Sequence, residues 1–377
     1  MGGSTFMAFA LGVLAPFITA DLNLSRASFG ALITVMFVVG SAGSPVAGWL
    51  VDVLGGRRVL GALFALTALS FTAAAVAATY PLLLAAMAFC GLALAAGNPV
   101  TNKLVAAHIR PGRQGVIIGV KQSGVQVGAF LAGALLPSGA FALGWRGVLL
   151  ASVVLPAIGL AMTRLFVPPD PPTRSEHELG AWAGLWSQIA WLVAYGFCMG
   201  VGVAVVAAYL PLYAHEAVGL SVSAAGMVAA TVGLVGIAAR IAWGHAADTV
   251  ARASELLVIL AAGSVISQLM LWAARPWSGA LLWVGAVGIG ASAGAWNAVG
   301  MLAIVKELGV RKAGRASGLV LLAFYGGYVV APMAFGYSFD VTGAYHLGWA
   351  GVTLSYAVAT AIAVLRHARS HRGVPDS

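Results

Sequence analysis

Twelve long apolar runs constrain the fold of this chain more than any other feature of its sequence. Each run approaches the ~20 apolar residues that an α-helix needs to cross the hydrocarbon core of a bilayer. Apolar residues make up 61% of the 377 residues and charged residues only 8%, which leaves too little polar surface for a water-soluble particle. We therefore predict an all-α membrane protein with twelve transmembrane helices, near residues 4–20, 27–50, 58–79, 82–106, 115–140, 146–166, 184–212, 222–247, 254–274, 278–305, 314–338 and 345–366.

A polar stretch, 167–183, separates the first six spans from the last six and predicts a cytoplasmic linker. The predicted domains are an N-terminal six-helix bundle, a C-terminal six-helix bundle and a cytoplasmic tail, at 1–166, 184–366 and 367–377. If both termini are cytoplasmic, fifteen Lys and Arg residues lie on the cytoplasmic side and three lie outside. Because positive residues are retained on the cytoplasmic side, we expect this orientation in the inner (plasma) membrane.

The two halves of the chain carry matching residues in the same order, which indicates an internal repeat. Shifts of 196 to 199 residues superimpose Gly30 on Gly226, Gly40 on Gly236, Gly48 on Gly244, Asp52 on Asp248 and Asn98 on Asn297. Asp and Asn are rare in this chain, so their matches carry most weight. Two parallel six-helix repeats joined by a polar linker are typical of a transporter that rocks one half against the other around a site near mid-membrane.

The loop after the second span reads GWLVDVLGGRR, from Gly48 to Arg58. It resembles the loop signature of the major facilitator superfamily: a Gly, three residues, an Asp, a basic residue, then Gly and paired basic residues. Val53 stands where a basic residue is usual. A degenerate copy, GHAADTVAR, follows the eighth span without the paired basic residues. The resemblance covers essentially the whole chain and implies the twelve-helix fold of that family with alternating access.

These two loops supply the candidate gating residues, which are Gly48, Asp52, Gly55, Arg57, Arg58, Gly244 and Asp248. Asp52 ends the second span, where its carboxylate can accept hydrogen bonds from a neighbouring helix N-terminus. Arg57 and Arg58 can pair with the adjacent helix or with lipid phosphates. We expect these contacts to latch the outward-facing state. The alternative is a loop that only orients the chain in the membrane.

Two cations, Lys121 and Arg240, lie inside predicted spans, whereas all eleven acids lie in loops, the linker, the tail or at helix ends. Each cation is about six or seven residues from the cytoplasmic end of its span, hence ~10 Å deep. A cation at that depth costs roughly 2–3 kcal/mol and marks a functional site by default. The resemblance implies that the fifth and eighth helices turn both cations towards one cavity, where an anionic substrate would supply the counter-charge. The alternative is snorkelling to the cytoplasmic surface.

Neutral polar residues near these cations complete the candidate substrate-binding set: Asn98, Asn102, Gln122, Asn297 and Tyr325. Asn98 and Asn102 share a face of the fourth helix through their i, i+4 spacing. Amide and hydroxyl donors suit a small oxyanion. The alternative for each amide is an interhelical hydrogen bond, and the alternative for Tyr325 is a core or lipid-facing aromatic position.

The sequence has no P-loop, zinc-binding spacing or nucleophile elbow, so we expect neither an enzyme nor a cofactor or metal. The predicted function is secondary active or facilitated transport of a small anion, a carboxylate or an inorganic oxyanion, by a monomer in the lipid bilayer. The net charge of +9 is spread over loops, which argues against nucleic acid as a partner. The alternative function is a proton-linked exporter of drugs or hydrophobic solutes, which would need an acid in the cavity. A membrane receptor would need a soluble output domain.

Overall fold

Helices dominate the computed structural model, which describes residues 2–108, 114–169, 183–249, 253–275 and 277–371, without the side chains of 106–120, 183–185, 248–249, 305–315 and 370–371. In these ranges the chain forms α1 (Gly2–Asp21), α2 (Arg26–Leu54), α3 (Gly56–Val76), α4 (Tyr80–His108), α5 (Gln114–Ala151), α6 (Val154–Phe166), α7 (Ala183–Glu216), α8 (Val222–Thr249), α9 (Ala253–Ala273), α10 (Gly279–Ala291), α11 (Trp296–Thr342) and α12 (His346–His371). No residue of the described ranges lies in a β-strand.

Eleven helical stretches among the described residues are long and apolar enough to cross a membrane. They confirm the predicted all-α, multi-pass membrane protein. One stretch, Lys121–Phe166, has 46 residues and contains two of the predicted spans. The backbone breaks inside it at Gly144, with φ 69° and ψ 163°, a conformation that glycine adopts readily because it has no Cβ.

The boundary between the predicted tenth and eleventh spans differs from the structure. We predicted one span over 278–305 and a loop before residue 314, whereas α10 ends at Ala291 and α11 runs unbroken from Trp296 to Thr342. The break at 292–295 falls in a stretch rich in glycine, which has low helix propensity. The Ser292 hydroxyl also donates to the Gly288 carbonyl, at 2.6 Å, and such side-chain bonds compete with regular helix.

The most extensive contacts between the chain before residue 169 and the chain after residue 183 are those of α1 with α7, α2 with α11, and α5 with α8. Glycines allow the backbones to approach closely at each crossing. A Cβ at Gly12 would lie 2.0 Å from the Ala207 carbonyl oxygen, and one at Gly133 would lie 2.5 Å from the Gly226 carbonyl oxygen. In a membrane the apolar lipid supplies no hydrophobic drive between helices, so this close packing of small residues holds the helices together.

The largest fully buried side chains lie in the helices after residue 183, namely Trp296, Trp349, Tyr195, Tyr209, Tyr213 and Tyr356. Tyr213 packs edge-on against Trp349, with ring centroids 5.2 Å apart. One continuous apolar cluster extends from these rings to α1 and α2. The core therefore spans both halves of the chain.

Two ends of the helical bundle can be named from the chain. The linker end holds residue 55, between α2 and α3, and the end of α6 at Phe166. The far end holds residues 22–25, between α1 and α2, and residues 343–345, between α11 and α12.

We predict that Gly12→Ala lowers the stability of the protein by about 1–3 kcal/mol, because the new methyl group would overlap the backbone of α7. The measurement is the thermal unfolding temperature in detergent. Gly351→Ala on α12 is the matched control, since a Cβ there meets no atom within 4 Å. Equal unfolding temperatures for the two variants would contradict the close crossing of α1 and α7.

Candidate binding site in the central cavity

A cavity of about 110 Å³ lies between the two halves of the chain, with residues of α1, α2, α4, α5, α7, α8, α10 and α11 in its walls. Most of the wall is apolar. The side chains with amide, hydroxyl or guanidinium groups are Thr5, Asn98, Gln122, Gln126, Arg240, Asn297, Tyr325 and Tyr328. Arg240 is the single charged residue among the described residues of the wall, and none of them is acidic. The exporter alternative requires such an acid.

Arg240 projects from α8 and is held by two backbone carbonyls. Its Nε donates to the Gly294 oxygen at 2.9 Å, and its Nη1 donates to the Gln122 oxygen at 2.6 Å. Among the described residues, no carboxylate forms an ion pair with Arg240. A cation removed from water needs compensation, and two neutral carbonyls supply only part of it. The guanidinium therefore adds positive potential to the cavity.

The break between α10 and α11 supplies the carbonyls that orient this part of the site. Gly294 accepts hydrogen bonds from Arg240 and from the Gln126 amide, the latter at 3.5 Å. The indole of Trp243, on α8, donates to the Ala291 oxygen at 2.7 Å. Irregular backbone at membrane depth is tolerated where it is buried in protein or lines a cavity. Sequence reasoning placed these residues inside a regular span and missed their contribution.

Aromatic residues of α11 form another side of the cavity. The Tyr328 ring stacks on Phe37 of α2, with centroids 4.2 Å apart. The Tyr325 hydroxyl accepts a hydrogen bond from Asn98 Nδ2 at 3.4 Å. Because that contact uses an acceptor lone pair, the proton of the Tyr325 hydroxyl is available to a bound solute.

Lys121 lies between α4 and α5, next to the cavity but outside its wall. Its Nζ is 2.5 Å from Asn102 Oδ1 and 3.5 Å from Asn98 Oδ1. An ammonium group only donates, so Asn98 presents its oxygen to Lys121 and its Nδ2 to Tyr325. We expected Lys121 and Arg240 to face one cavity. The structure instead places Arg240 in the cavity wall, whereas Lys121 lies outside the wall and contacts one of its residues, Asn98.

The other predicted binding residues divide in the same way. Gln122, Asn297 and Tyr325 line the cavity, as does Asn98, whereas Asn102 does not. Asn102 is exposed and contacts the Lys121 amine. A carbonyl-to-ammonium contact between neighbouring helices explains its position, and the functional role of each residue stays a prediction.

Two predicted gating residues, Asp52 and Arg57, have described contacts with other helices of the first half. Asp52 pairs with Lys103 of α4 at 3.5 Å, and the Lys103 amine also reaches the Val51 carbonyl at 2.8 Å. Arg57 Nη2 donates to the Arg164 carbonyl of α6 at 2.7 Å. Among the described residues, these contacts tie α2 to α4 and α3 to α6.

The gating glycines differ from one another. Gly55 ends α2 with φ 86° and ψ 154°, and its N–H donates to the Val51 carbonyl. A Cβ at Gly48 or at Gly244 would meet no atom within 4 Å, so neither glycine is required by packing in this conformation. Asp248 lies in α8, but its side chain is outside the described residues.

A charged cluster at the far end joins the two halves, and sequence reasoning treated its members only as loop charges. The Asp340 carboxylate accepts the backbone N–H of Arg26, at 2.9 Å, and that of Ala27, at 2.8 Å, at the start of α2. The Arg26 side chain forms an ion pair with Glu216 at the end of α7. Arg26 and Asp340 are 314 residues apart, so only the predicted topology, which puts them on one side of the membrane, could have grouped them.

Two tyrosines strengthen the far-end cluster. The Tyr209 hydroxyl donates to the Arg26 carbonyl at 2.6 Å, and the Tyr345 hydroxyl donates to Glu216 at 2.6 Å. Burial and the adjacent Glu216 carboxylate raise the pKa of Tyr345. Its phenol therefore keeps its proton at neutral pH and remains a donor.

A helical multi-pass membrane protein with a solute-sized cavity between two halves is the class that this geometry defines. Residues 1–332 match the sequence profile of the Major Facilitator Superfamily, and the chain belongs to that superfamily.

Relatives with assigned names are similar at low identity. The probable nitrate/nitrite transporter NarK2 of Mycobacterium tuberculosis is 28% identical over 97% of this chain and 93% of the relative. The gallate transporter of Pseudomonas putida is 33% identical over 39% of this chain and 32% of the relative. The probable sulfoacetate transporter SauU of Cupriavidus necator is 22% identical over 89% of this chain and 84% of the relative.

We predict that Gly55→Ala lowers stability by about 1–3 kcal/mol, because a residue with a Cβ is strained at this positive φ. Thermal unfolding in detergent measures the change. Gly48→Ala, in the same loop signature, has open space around its Cβ and should alter stability by no more than about 0.5 kcal/mol. A Gly55→Ala variant as stable as Gly48→Ala would refute the backbone requirement.

Proposed function

We propose that this protein is a secondary active or facilitated transporter of a small anion, a carboxylate or an inorganic oxyanion, and that it works by alternating access. The observation that carries the proposal is Arg240, a cation in the wall of the cavity whose two hydrogen-bond acceptors are neutral carbonyls. A solute with one negative charge would supply the missing counter-charge. Tyr325 and the amides of the wall would then donate to its oxygens.

The relatives support an anionic cargo. Their names assign them nitrate and nitrite, gallate, and sulfoacetate, all of which are anions at neutral pH. These solutes differ in size and shape but share a compact, oxygen-rich negative group. Recognition by one guanidinium and several neutral donors suits that shared group.

We infer twelve membrane crossings arranged as two six-helix repeats, 1–166 and 184–366. Dividing Lys121–Phe166 at Gly144 makes twelve crossings out of the eleven apolar stretches. An even number puts both termini on one side, and the distribution of Lys and Arg favours the cytoplasm for the linker end.

Contacts between the halves support the repeat. Gly12 of α1 packs against Ala207 and Ala208 of α7, and Ala208 lies 196 residues after Gly12. Gly30 packs on α11, while its counterpart Gly226, also 196 residues later, packs on α5. These paired contacts are expected if a two-fold axis along the membrane normal relates the two repeats. Such an axis makes α1 face α7, and it exchanges the α2–α11 pair with the α8–α5 pair.

In this arrangement the described conformation is closed at the far end and faces the cytoplasm. Within the described residues, the hydrogen bonds that join the halves lie between the far end and the level of the cavity. Asp52 pairs with Lys103 within the first half. We infer that a latch across the linker end forms in the outward-facing state.

We predict that Arg240→Gln weakens anion binding by about 10- to 100-fold, the usual value of a hydrogen bond to a charged group. The purified protein would be titrated with nitrate, gallate and sulfoacetate, and with neutral and cationic solutes, while its unfolding temperature is followed. Transport of the stabilising anion would then be measured in vesicles.

Two controls separate this effect from misfolding. Arg369→Gln removes an exposed charge at the linker end and should leave binding unchanged. Lys121→Gln should have a smaller effect than Arg240→Gln, because Lys121 lies outside the cavity wall. If Arg240→Gln binds and transports the anion normally, the proposal fails. If lipophilic cations stabilise the wild type and the Arg240→Gln variant equally, the result would favour the alternative function, an exporter of drugs or hydrophobic solutes.

We predict that Asp340→Asn opens the far end more often, because asparagine removes the charge and one of the two acceptors at the start of α2. The reporter is Leu210→Cys, a cavity residue of α7, in a chain whose native cysteines are replaced by alanine. Labelling by a membrane-impermeant thiol reagent from outside should accelerate about 5- to 30-fold, as expected for the loss of one or two hydrogen bonds.

Asp21→Asn is the matched control for Asp340→Asn. Asp21 is also a far-end carboxylate, but its partners, Arg146 and Trp145, belong to the same half of the chain. Its replacement should not change the labelling rate. An equal rise in both variants, or none in Asp340→Asn, would contradict the gating role of the far-end cluster.

A further inference from the structure

A second concave surface, a groove of about 670 Å³, lies at the linker end between α3 and α6. It shares no described residue with the central cavity. Its walls come from the end of α2, the first three turns of α3 and the last two turns of α6. The proposed transport function makes no use of this groove as a binding site.

Three arginines converge on the groove: Arg57 and Arg58 of α3, and Arg164 of α6. Arg57 is oriented by the hydrogen bond from its Nη2 to the Arg164 carbonyl. Arg58 and Arg164 are exposed and form no ion pair with a described carboxylate. None of the described residues that line the groove is acidic. The positive charges of arginines that line one groove repel one another, so an anion in the groove would be bound favourably.

The start of α3 adds to this positive potential. Arg57 and Arg58 lie in the first turn of α3, which begins at Gly56. Cations in the first turn of a helix are unfavourably placed against the positive end of the helix dipole. An anion beside Arg57 and Arg58 would offset this effect.

The remaining wall is apolar and indicates the kind of anion. Ala62, Ala65 and Leu160 line the groove beyond the arginines. Ala65 is eight residues after Arg57 on α3, hence ~12 Å farther from the linker end. A soluble phosphate would use the arginines but leave this apolar wall in contact with water. A phospholipid places its phosphate at the membrane surface and its acyl chains directly below.

We propose that the groove between α3 and α6 binds an anionic phospholipid, with its phosphate against Arg58 and Arg164 and the start of an acyl chain against Ala62, Ala65 and Leu160. Basic pockets between membrane helices on the cytoplasmic side hold acidic headgroups in this way. The site is separate from the solute cavity and does not depend on which solute is carried.

The test is a lipid titration of the purified, delipidated full-length protein in a neutral detergent. Dioleoylphosphatidylglycerol is compared with dioleoylphosphatidylcholine, and with glycerol 3-phosphate and inorganic phosphate as soluble sources of the same anion. Binding is followed by the unfolding temperature and by lipid retention in native mass spectrometry. Each arginine is expected to contribute about fivefold to affinity, so the double variant R58Q/R164Q should bind phosphatidylglycerol about 25-fold more weakly.

Arg369→Gln is the matched control, because Arg369 is an exposed arginine of the same end outside the groove. Selective binding of phosphatidylglycerol that is lost in R58Q/R164Q and kept in Arg369→Gln supports the proposal. Equal binding of the two lipids overturns it. The proposal also fails if the R58Q/R164Q variant unfolds at the wild-type temperature and binds phosphatidylglycerol as tightly as the wild type. Stabilisation by the soluble phosphates alone overturns the lipid assignment.

The linker itself is the competing occupant, since residues 170–182 include acids and follow directly on the groove residue Pro169. E176Q/E178Q tests this possibility. If phosphatidylglycerol fails to bind the wild type but binds E176Q/E178Q, the linker fills the groove in the native protein. That result would overturn the proposal.

Discussion

The need to satisfy every backbone hydrogen bond away from water underlies the rest of this structure. It explains why the described chain is helical almost throughout and why glycines, not large apolar residues, mark the crossings between halves. It also explains the irregular turn at 292–295, where the Gly294 carbonyl accepts hydrogen bonds from Gln126 of α5 and Arg240 of α8. At this turn the departure from regular helix is matched by side chains that satisfy a freed carbonyl.

That turn links the fold to the chemistry of the cavity. Arg240 is oriented by the Gly294 and Gln122 carbonyls, which fix its position without cancelling its charge. A carboxylate partner would neutralise the guanidinium and remove its attraction for an anion. The same apolar wall that makes the cation costly to bury would strengthen its interaction with the proposed anion, because the local dielectric is low.

The two ends of the bundle use their charges differently. At the far end Asp340 and Glu216 each contact the other half of the chain through Arg26 or its neighbour. At the linker end the ion pair described for Asp52 is with Lys103 of its own half. The described far-end contacts join the two halves, and alternating access requires such contacts to be reversible.

The sequence by itself determined the class of protein, the approximate spans, the superfamily and most of the polar residues around the cavity. It could do so because a bilayer imposes length and hydropathy on each helix separately. Only the tertiary structure decided that Lys121 lies outside the cavity wall, that the chain unwinds at 292–295, and that Arg26 meets Asp340. These features depend on which faces of distant helices meet, and hydropathy within one helix carries no information about that choice.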